Sequence, residues 1–152
     1  MNSKTREISV EIISALIILV FLYAALTKFV SHSTFEHTLN RSPLLHRFSP
    51  VLSWVLPSIE IIVSMLLLLP ISKRVGLFFA LIMMLLFTFY IGYMLTFASD
   101  LPCSCGGVLA QLGWKKHLLF NIVLSMLAFV GWRLAPRNKI FIAINRVSRT
   151  PV

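Results

Sequence analysis

The segment VGLFFALIMMLLFTFYIGYMLTFA, residues 75–98, contains no charged side chain. A helix of about 20 mostly apolar residues crosses roughly 30 Å of hydrocarbon, which is the thickness of a bilayer core. The segment is therefore long enough and apolar enough to span a membrane. We predict that it forms a transmembrane helix.

Three further apolar segments predict three more spans, at about residues 8–30, 51–70 and 117–133. The chain of 152 residues is 58% hydrophobic and only 12% charged, whereas a soluble domain carries about 25% charged residues. Four spans need about 80 residues, so residues 1–152 are predicted to form a single membrane domain. The short turn at residues 71–74 allows only an antiparallel neighbour. The sequence therefore predicts an all-α, integral membrane four-helix bundle with antiparallel up-down topology.

Basic residues are unevenly distributed between the two sides of this predicted bundle. Because positive residues favour the cytoplasmic side, we predict a bacterial inner membrane protein with both termini in the cytoplasm. The basic tail, residues 136–152, would then lie on the cytoplasmic surface, and the loop at residues 99–116 would face the periplasm. Nine of the 14 basic residues lie on the side of the termini: Lys4, Arg6, Lys73, Arg74, Arg133, Arg137, Lys139, Arg146 and Arg149.

The net charge of +9 does not predict a nucleic-acid partner. Most basic residues lie at the ends of apolar segments, where they contact lipid headgroups, and no folded basic surface remains to bind nucleic acid. The lipid bilayer is thus the first predicted partner. Trp54 and Trp114 lie near the predicted outer interface and Trp132 near the inner one, which is typical of an aromatic belt.

The two cysteines of the chain lie two residues apart in Pro-Cys-Ser-Cys-Gly-Gly, residues 102–107. Two residues of chain reach about 7 Å at most, whereas a disulfide requires Cα atoms about 4.4–6.8 Å apart. A bond between Cys103 and Cys105 therefore needs a bent loop, which the flanking proline and glycines supply. Because a strained disulfide is easily reduced, as catalytic disulfides are, we predict a redox role for the two cysteines.

Other interpretations of the two cysteines stay open. They include a structural or intermolecular bridge, a pair of inert thiols, and half of a metal site. Two sulfurs alone cannot complete a tetrahedral zinc site, so we expect no metal. Positive charge from Lys115, Lys116 and His117, together with the start of the fourth helix, would favour the reactive thiolate, whereas Asp100 would oppose it.

Glu60 is predicted to lie inside the second span, where an ionised carboxylate costs about 2.5–3.5 kcal/mol on insertion scales. Such residues usually face the bundle interior and have a partner, and Lys28 is the basic residue of another span that could reach it. The pair could fix helix packing, or Glu60 could carry protons for the thiols. His117 and Asn121 are four residues apart and share one helix face. Asn121 is a candidate for a hydrogen bond between helices, and His117 is either an interfacial residue or a proton relay.

Several short motifs resemble those of DoxX-like membrane proteins. Tyr23-Ala24-Ala25-Leu26-Thr27-Lys28-Phe29 resembles the end of their first helix, and Pro57-Ser58-Ile59-Glu60 resembles the Pro-x-x-Glu of their second helix. The cysteine motif, followed by Trp114 and by His117-Leu118-Leu119-Phe120-Asn121, is similar to the redox-associated MauE branch. The resemblance covers roughly residues 8–132.

This resemblance implies a four-helix membrane bundle that acts in thiol–disulfide chemistry. MauE proteins are needed to make methylamine dehydrogenase, whose small subunit is rich in disulfides, and DoxX proteins include a subunit of a thiosulfate:quinone oxidoreductase. The implied partner is a periplasmic client with thiols or a separate thioredoxin-like protein. The resemblance therefore links the chain to methylamine metabolism and to disulfide formation outside the cytoplasm.

We therefore expect a membrane component that passes electrons between periplasmic thiols and a membrane acceptor through Cys103 and Cys105. No motif predicts a bound cofactor, although a quinone is a candidate acceptor. The alternative is a non-catalytic assembly factor or a structural subunit of a DoxX-type complex. A transporter is disfavoured because the spans lack paired broken helices. The aromatic residues of the third span favour packing over a cofactor site: Phe87, Phe89, Tyr90, Tyr93 and Phe97.

Overall fold

The computed structural model describes residues 3–42, 45–97 and 113–136, and within these ranges the chain is helical and has no strand. A short 3₁₀ turn, His46–Phe48, precedes the third helix. The five helices are α1 (Ser3–Val30), α2 (His32–Asn40), α3 (Ser49–Leu68), α4 (Lys73–Phe97) and α5 (Trp114–Leu134). Four of them, α1, α3, α4 and α5, are long and apolar enough to cross a membrane. The predicted all-α architecture with four candidate spans is therefore confirmed.

The four long helices form a closed ring. Helix α1 packs against α3 and α5, and α4 packs against α5 and α3, while the short helix α2 lies mainly on α3. Their shared interior is mostly apolar, with a few buried polar side chains, and much of the outer surface is apolar too, because lipid contacts a helix on the side that water would contact in a soluble protein. Buried examples are Ile17, Phe21, Leu67, Leu77 and Leu124, and exposed ones are Leu19, Phe89 and Met126.

Two glycines allow close approach between helices. A Cβ atom on Gly76 would lie 3.0 Å from the backbone nitrogen of Leu67, so α4 begins in direct contact with the backbone of α3. A Cβ on Gly131 would lie 3.0 Å from Cγ2 of Ile13 and 3.2 Å from Cδ2 of Leu77, where α5 meets α1 and α4. Small residues at such contacts let membrane helices gain van der Waals packing, which is a main source of their association.

One end of the bundle is closed by basic side chains, and we call it the basic end, defined by Arg6, Lys73 and Arg74. Arg6 donates to the carbonyl of Leu134, and Arg74 donates to that of Ala135 at 3.2 Å. The last carbonyls of a helix lack partners within the helix and carry partial negative charge, so the two arginines satisfy the end of α5.

Further contacts at the basic end join α4 to α1 and to α5. Lys73 forms an ion pair with Glu11 of α1. The guanidinium of Arg74 lies 5.7 Å from the ring centre of Trp132, which is within the range of a cation–π contact. Together these contacts bring the first turns of α1 and α4 next to the last turn of α5.

The observed helices differ from the predicted spans mainly at their ends. Helix α1 begins at Ser3, five residues before the predicted start, because polar first-turn residues are accommodated at the basic end. Helix α5 begins at Trp114, directly after Gly113, whose φ of 71° lies in the left-handed region. The predicted loop at 99–116 therefore ends three residues earlier, at 113. Most of that loop and of the 136–152 tail lies outside the described residues.

Candidate functional site

Lys28 and Glu60 form an ion pair in the interior of the bundle. Lys28 lies in the last turn of α1 and Glu60 in the middle of α3, and the Nζ of Lys28 donates to Oε1 of Glu60. The carboxylate is only 2% exposed and the lysine side chain 16%. Because an isolated charge in hydrocarbon is costly, each residue makes the buried position of the other tolerable.

Two aromatic rings complete the surroundings of the Lys28 ammonium. Its Nζ lies 5.7 Å from the ring centre of Phe35 in α2 and 5.3 Å from that of Phe87 in α4. Both distances are within the range of cation–π contacts, which strengthen when the cation is removed from water. Lys28 therefore joins four elements, α1, α2, α3 and α4, at a single point.

The ion pair lines a cavity of about 320 Å³ that all five helices help to form. The cavity lies among the last turns of α1, the first half of α3, the second half of α4 and the first turns of α5, with α2 covering it. We call this region the cavity end, because along α1, α4 and α5 it lies opposite the basic end. Its residues include Ala24, Lys28, Phe35, Glu60, His117 and Asn121.

Two buried polar atoms that belong to residues lining the cavity have no hydrogen-bond partner among the described residues. They are Oε2 of Glu60 and Nδ2 of Asn121, and their residues are 2% and 5% exposed. An unsatisfied buried polar group costs about 1–3 kcal/mol, and buried polar groups of folded proteins usually have a partner in protein or water. One acceptor and one donor on residues that line the cavity are therefore unsatisfied.

The four polar residues proposed from the sequence come together at this site. His117 and Asn121 lie one turn apart on α5 and both line the cavity that contains the Lys28–Glu60 pair. The hydroxyl of Ser125, one turn further along α5, donates to the backbone carbonyl of Asn121 at 2.8 Å and leaves the Asn121 amide group available. The side chains of Lys28, Glu60, His117 and Asn121 thus share one chamber.

Cys103 and Cys105 lie outside the described residues. The two helices that border their segment are described, and both contribute to the cavity: α4 supplies Tyr90 and Ile91, and α5 supplies His117. His117 is in the first turn of α5 and only 12 residues after Cys105 in the sequence. The cysteine segment therefore connects two helix ends at the cavity end of the bundle.

The cavity itself was not predicted from the sequence, nor was the participation of Phe35 and Phe87. Phe35 and Leu39, four residues apart on α2, are both buried and line the cavity. Trp54 contacts His32, with ring centres 4.3 Å apart, and Phe29 at 6.0 Å, so it lies at the cavity end. Among the described residues no group of three or more His, Cys, Asp or Glu is arranged to hold a metal ion.

A comparison with known proteins identifies the family of this chain. Neither a curated protein nor a solved structure is significantly similar to it. The model of one family, described as methylamine utilisation protein MauE, matches residues 6–134. The match includes all four candidate spans almost completely, the cysteine motif and every polar residue of the cavity. This multi-pass membrane protein therefore belongs to the MauE family.

Proposed function

We propose that this protein is a membrane thiol–disulfide redox component that takes electrons from thiols outside the cytoplasm and passes them to an acceptor in the bilayer. The observation that carries the proposal is the cavity, which joins a buried ion pair and unsatisfied polar atoms to the helices on both sides of the cysteine segment. The MauE family name associates the chain with methylamine utilisation. A disulfide-bearing subunit of a methylamine-oxidising enzyme is accordingly the proposed client.

The proposed orientation puts the cavity end at the periplasmic face of the inner membrane. Each end of the described bundle has five basic residues, so the orientation rests on the tail, residues 136–152, which follows α5 at the basic end and adds four more. Cationic residues favour the cytoplasmic side. With this orientation both termini are cytoplasmic, and Cys103 and Cys105 face an oxidising compartment in which disulfides persist.

The proposed chemistry is disulfide exchange followed by reoxidation. A client thiolate attacks the Cys103–Cys105 disulfide and forms a mixed disulfide, and a second client thiolate then releases the protein with both cysteines reduced. The client loses two electrons and two protons and gains a disulfide. Cys103 and Cys105 then return to the disulfide by giving two electrons and two protons to the membrane acceptor.

Glu60 is the proposed carrier for protons that leave the cysteines. Its Oε2 lacks a hydrogen-bond partner among the described residues, whereas its Oε1 accepts from Lys28. The carboxylate therefore has one oxygen committed to the ion pair and one available to accept a proton. His117 follows the cysteine segment in the sequence and lines the cavity from the first turn of α5. It is therefore the proposed proton relay between the cysteines and Glu60.

Replacement of both cysteines tests the proposal directly. We expect the Cys103→Ser, Cys105→Ser protein to insert normally but to leave the client reduced, because no sulfur remains to exchange. The measurement is the redox state of the client, determined by alkylation of its free thiols and gel mobility. Ser104→Ala is the matched control, since it changes the same segment and keeps both sulfurs.

Client oxidation at the normal rate by the double serine variant would contradict the proposal. That result would favour an assembly factor, which holds a client without redox chemistry. The burial of Phe35 and Leu39 argues against a docking role for α2, because these apolar side chains contact the bundle. Labelling of intact cells with an impermeant maleimide after reduction checks the orientation, since the two cysteines should react from outside.

A further inference from the structure

We propose that the cavity binds the headgroup of a lipid-soluble quinone, which is the electron acceptor; this inference rests on the proposed function and names its second substrate. The cavity lies among four helices that are long and apolar enough to span a bilayer. A molecule that reaches the cavity from the membrane must dissolve in lipid. To accept two electrons there, it must also contain a group that can be reduced by two electrons.

The size of the cavity suits a ring-sized headgroup. Its volume of about 320 Å³ is at the lower end of the range of small-molecule sites, about 300–1,000 Å³. Most of its wall is apolar, with aromatic rings from Phe35 and Phe87 and a methyl group from Ala24. A flat ring can pack against such walls, and an isoprenoid tail would extend between helices toward lipid.

The polar groups of the cavity match the two carbonyl oxygens of a quinone. The unsatisfied Nδ2 of Asn121 is a neutral donor. Lys28 has three N–H donors, and its described hydrogen bond, to Glu60, uses one. An acyl chain offers these donors nothing, because it has no acceptor. A quinone satisfies them and has no charge, so its entry adds no desolvated ion to the site.

The electron balance of the step closes with a quinone as oxidant. The thiols of Cys103 and Cys105 lose two electrons and two protons, and one S–S bond forms. The quinone gains two electrons and two protons, and its two carbonyl oxygens become the hydroxyls of a quinol. Protonation of the ring oxygen requires a proton carrier in the cavity, and Glu60 has an oxygen without a hydrogen-bond partner among the described residues.

Binding can be measured separately from thiol chemistry with the Cys103→Ser, Cys105→Ser protein in detergent. Quinones quench tryptophan fluorescence, so titration with decylubiquinone or menadione reports occupancy. We expect a saturable component of quenching above the linear collisional background. The tighter of the two probes then distinguishes a benzoquinone from a naphthoquinone as the preferred headgroup.

Filling the cavity provides the sharpest variant. Ala24 lines the cavity, so Ala24→Phe should remove the saturable component. Ala15 is on the same helix and exposed, so Ala15→Phe adds the same ring on the lipid side and should leave binding unchanged. Helical circular dichroism and monodisperse elution show that both variants are folded.

Removing a single donor should weaken binding without blocking the cavity. Asn121→Leu should raise the Kd of the quinone about tenfold, which corresponds to one lost hydrogen bond of about 1.4 kcal/mol. Ser125→Ala is the matched control one turn along α5, because the Ser125 hydroxyl donates to the Asn121 carbonyl and does not line the cavity.

Three results would overturn the inference. They are purely linear quenching, saturable quenching that is the same in the Ala24→Phe and Ala15→Phe proteins, and displacement of the quinone by decanol as effectively as by menadione, which would indicate an acyl-chain site. Each result is independent of the client assay, because the titrated protein lacks both sulfurs. Failure of the quinone assignment and failure of the thiol redox proposal are thus distinguishable.

Discussion

The two ends of the bundle use the same kinds of charged residue in opposite ways. At the basic end, Arg6 and Arg74 donate to carbonyls of α5, and Lys73 pairs with Glu11, whose side chain is 67% exposed. At the cavity end, Lys28 pairs with the carboxylate of Glu60, which is 2% exposed, and both residues line the cavity. The first arrangement ties helix ends together near the membrane surface, and the second holds charge inside the bundle.

Hydrogen bonding of the charged groups distinguishes the two ends, although Oγ of Ser14, in the first half of α1, is also buried without a partner among the described residues. Arg6, Lys73 and Arg74, which define the basic end, all have partners in the described structure, which is what a purely structural role requires. The cavity end retains an unsatisfied carboxylate oxygen and an unsatisfied amide nitrogen on residues that line the cavity. Since such groups are costly when nothing binds them, this difference points to the cavity end as the functional one.

The largest expected effect is the loss of the buried cation. Lys28→Met should lower the free energy of unfolding by about 3–5 kcal/mol, because Glu60 is left as an uncompensated buried charge. The measurement is unfolding by sodium dodecyl sulfate in mixed micelles, followed by circular dichroism. The double variant Lys28→Met, Glu60→Leu should regain most of this loss, and equal stability of the single and double variants would contradict the interpretation.

The next largest effect on stability is expected at the close contact between α3 and α4. Gly76→Ala should destabilise the protein by about 1–3 kcal/mol, because its new Cβ would meet backbone atoms of Leu66 and Leu67 at 3.0–3.1 Å. Gly92 is on the same helix, next to cavity residue Ile91, and a Cβ there meets nothing within 4 Å. Gly92→Ala should therefore be neutral or stabilising by up to about 1 kcal/mol through helix propensity. The same unfolding assay measures both variants. Equal effects would show that the close contact between Gly76 and the backbone of α3 does not contribute to stability.

The smallest effect is expected for the exposed ion pair of the basic end. Lys73→Gln should change the free energy of unfolding by no more than about 1 kcal/mol, because the Glu11 side chain is 67% exposed and its carboxylate keeps its hydration when the lysine is removed. Comparison of Lys73→Gln with Lys28→Met, both in the unfolding assay, contrasts an exposed carboxylate with a buried one, because the two lysine side chains are similarly buried, at 12% and 16% exposed. A loss at Lys73 as large as that at Lys28 would remove the distinction between the two ends.

The sequence was sufficient to predict the spans and the partner of Glu60. Long uncharged segments leave few alternatives to membrane helices, since backbone polar groups in lipid must be satisfied within the segment. The pair was predictable because Glu60 needs a cation and Lys28 was the basic residue of another span within reach, and the structure contains this ion pair. In an apolar chain, the few charged residues are thus the best guide to which helices contact each other.

The cavity could not be predicted in the same way. Phe87 and Phe89 are of the same type and two residues apart, yet Phe87 lines the cavity and Phe89 is 74% exposed. In a soluble helix hydrophobic periodicity would separate them, but here the lipid side is as apolar as the interior. The rotation of each helix about its axis is therefore invisible in the sequence, and a cavity depends on that rotation in several helices at once.

The ion pair between α1 and α3 also bears on biogenesis. A chain inserted during synthesis exposes α1 to the bilayer before Glu60 has left the ribosome, and Lys28, near the end of α1, can wait at the headgroup region with its ammonium in water. When α3 enters, a counter-ion is already in place, which lowers the cost of transferring its carboxylate. We therefore expect the order of the helices along the chain to assist insertion by the translocon. Lys28, nearer the membrane surface, is synthesised first, and Glu60, deeper in the bundle, is synthesised second.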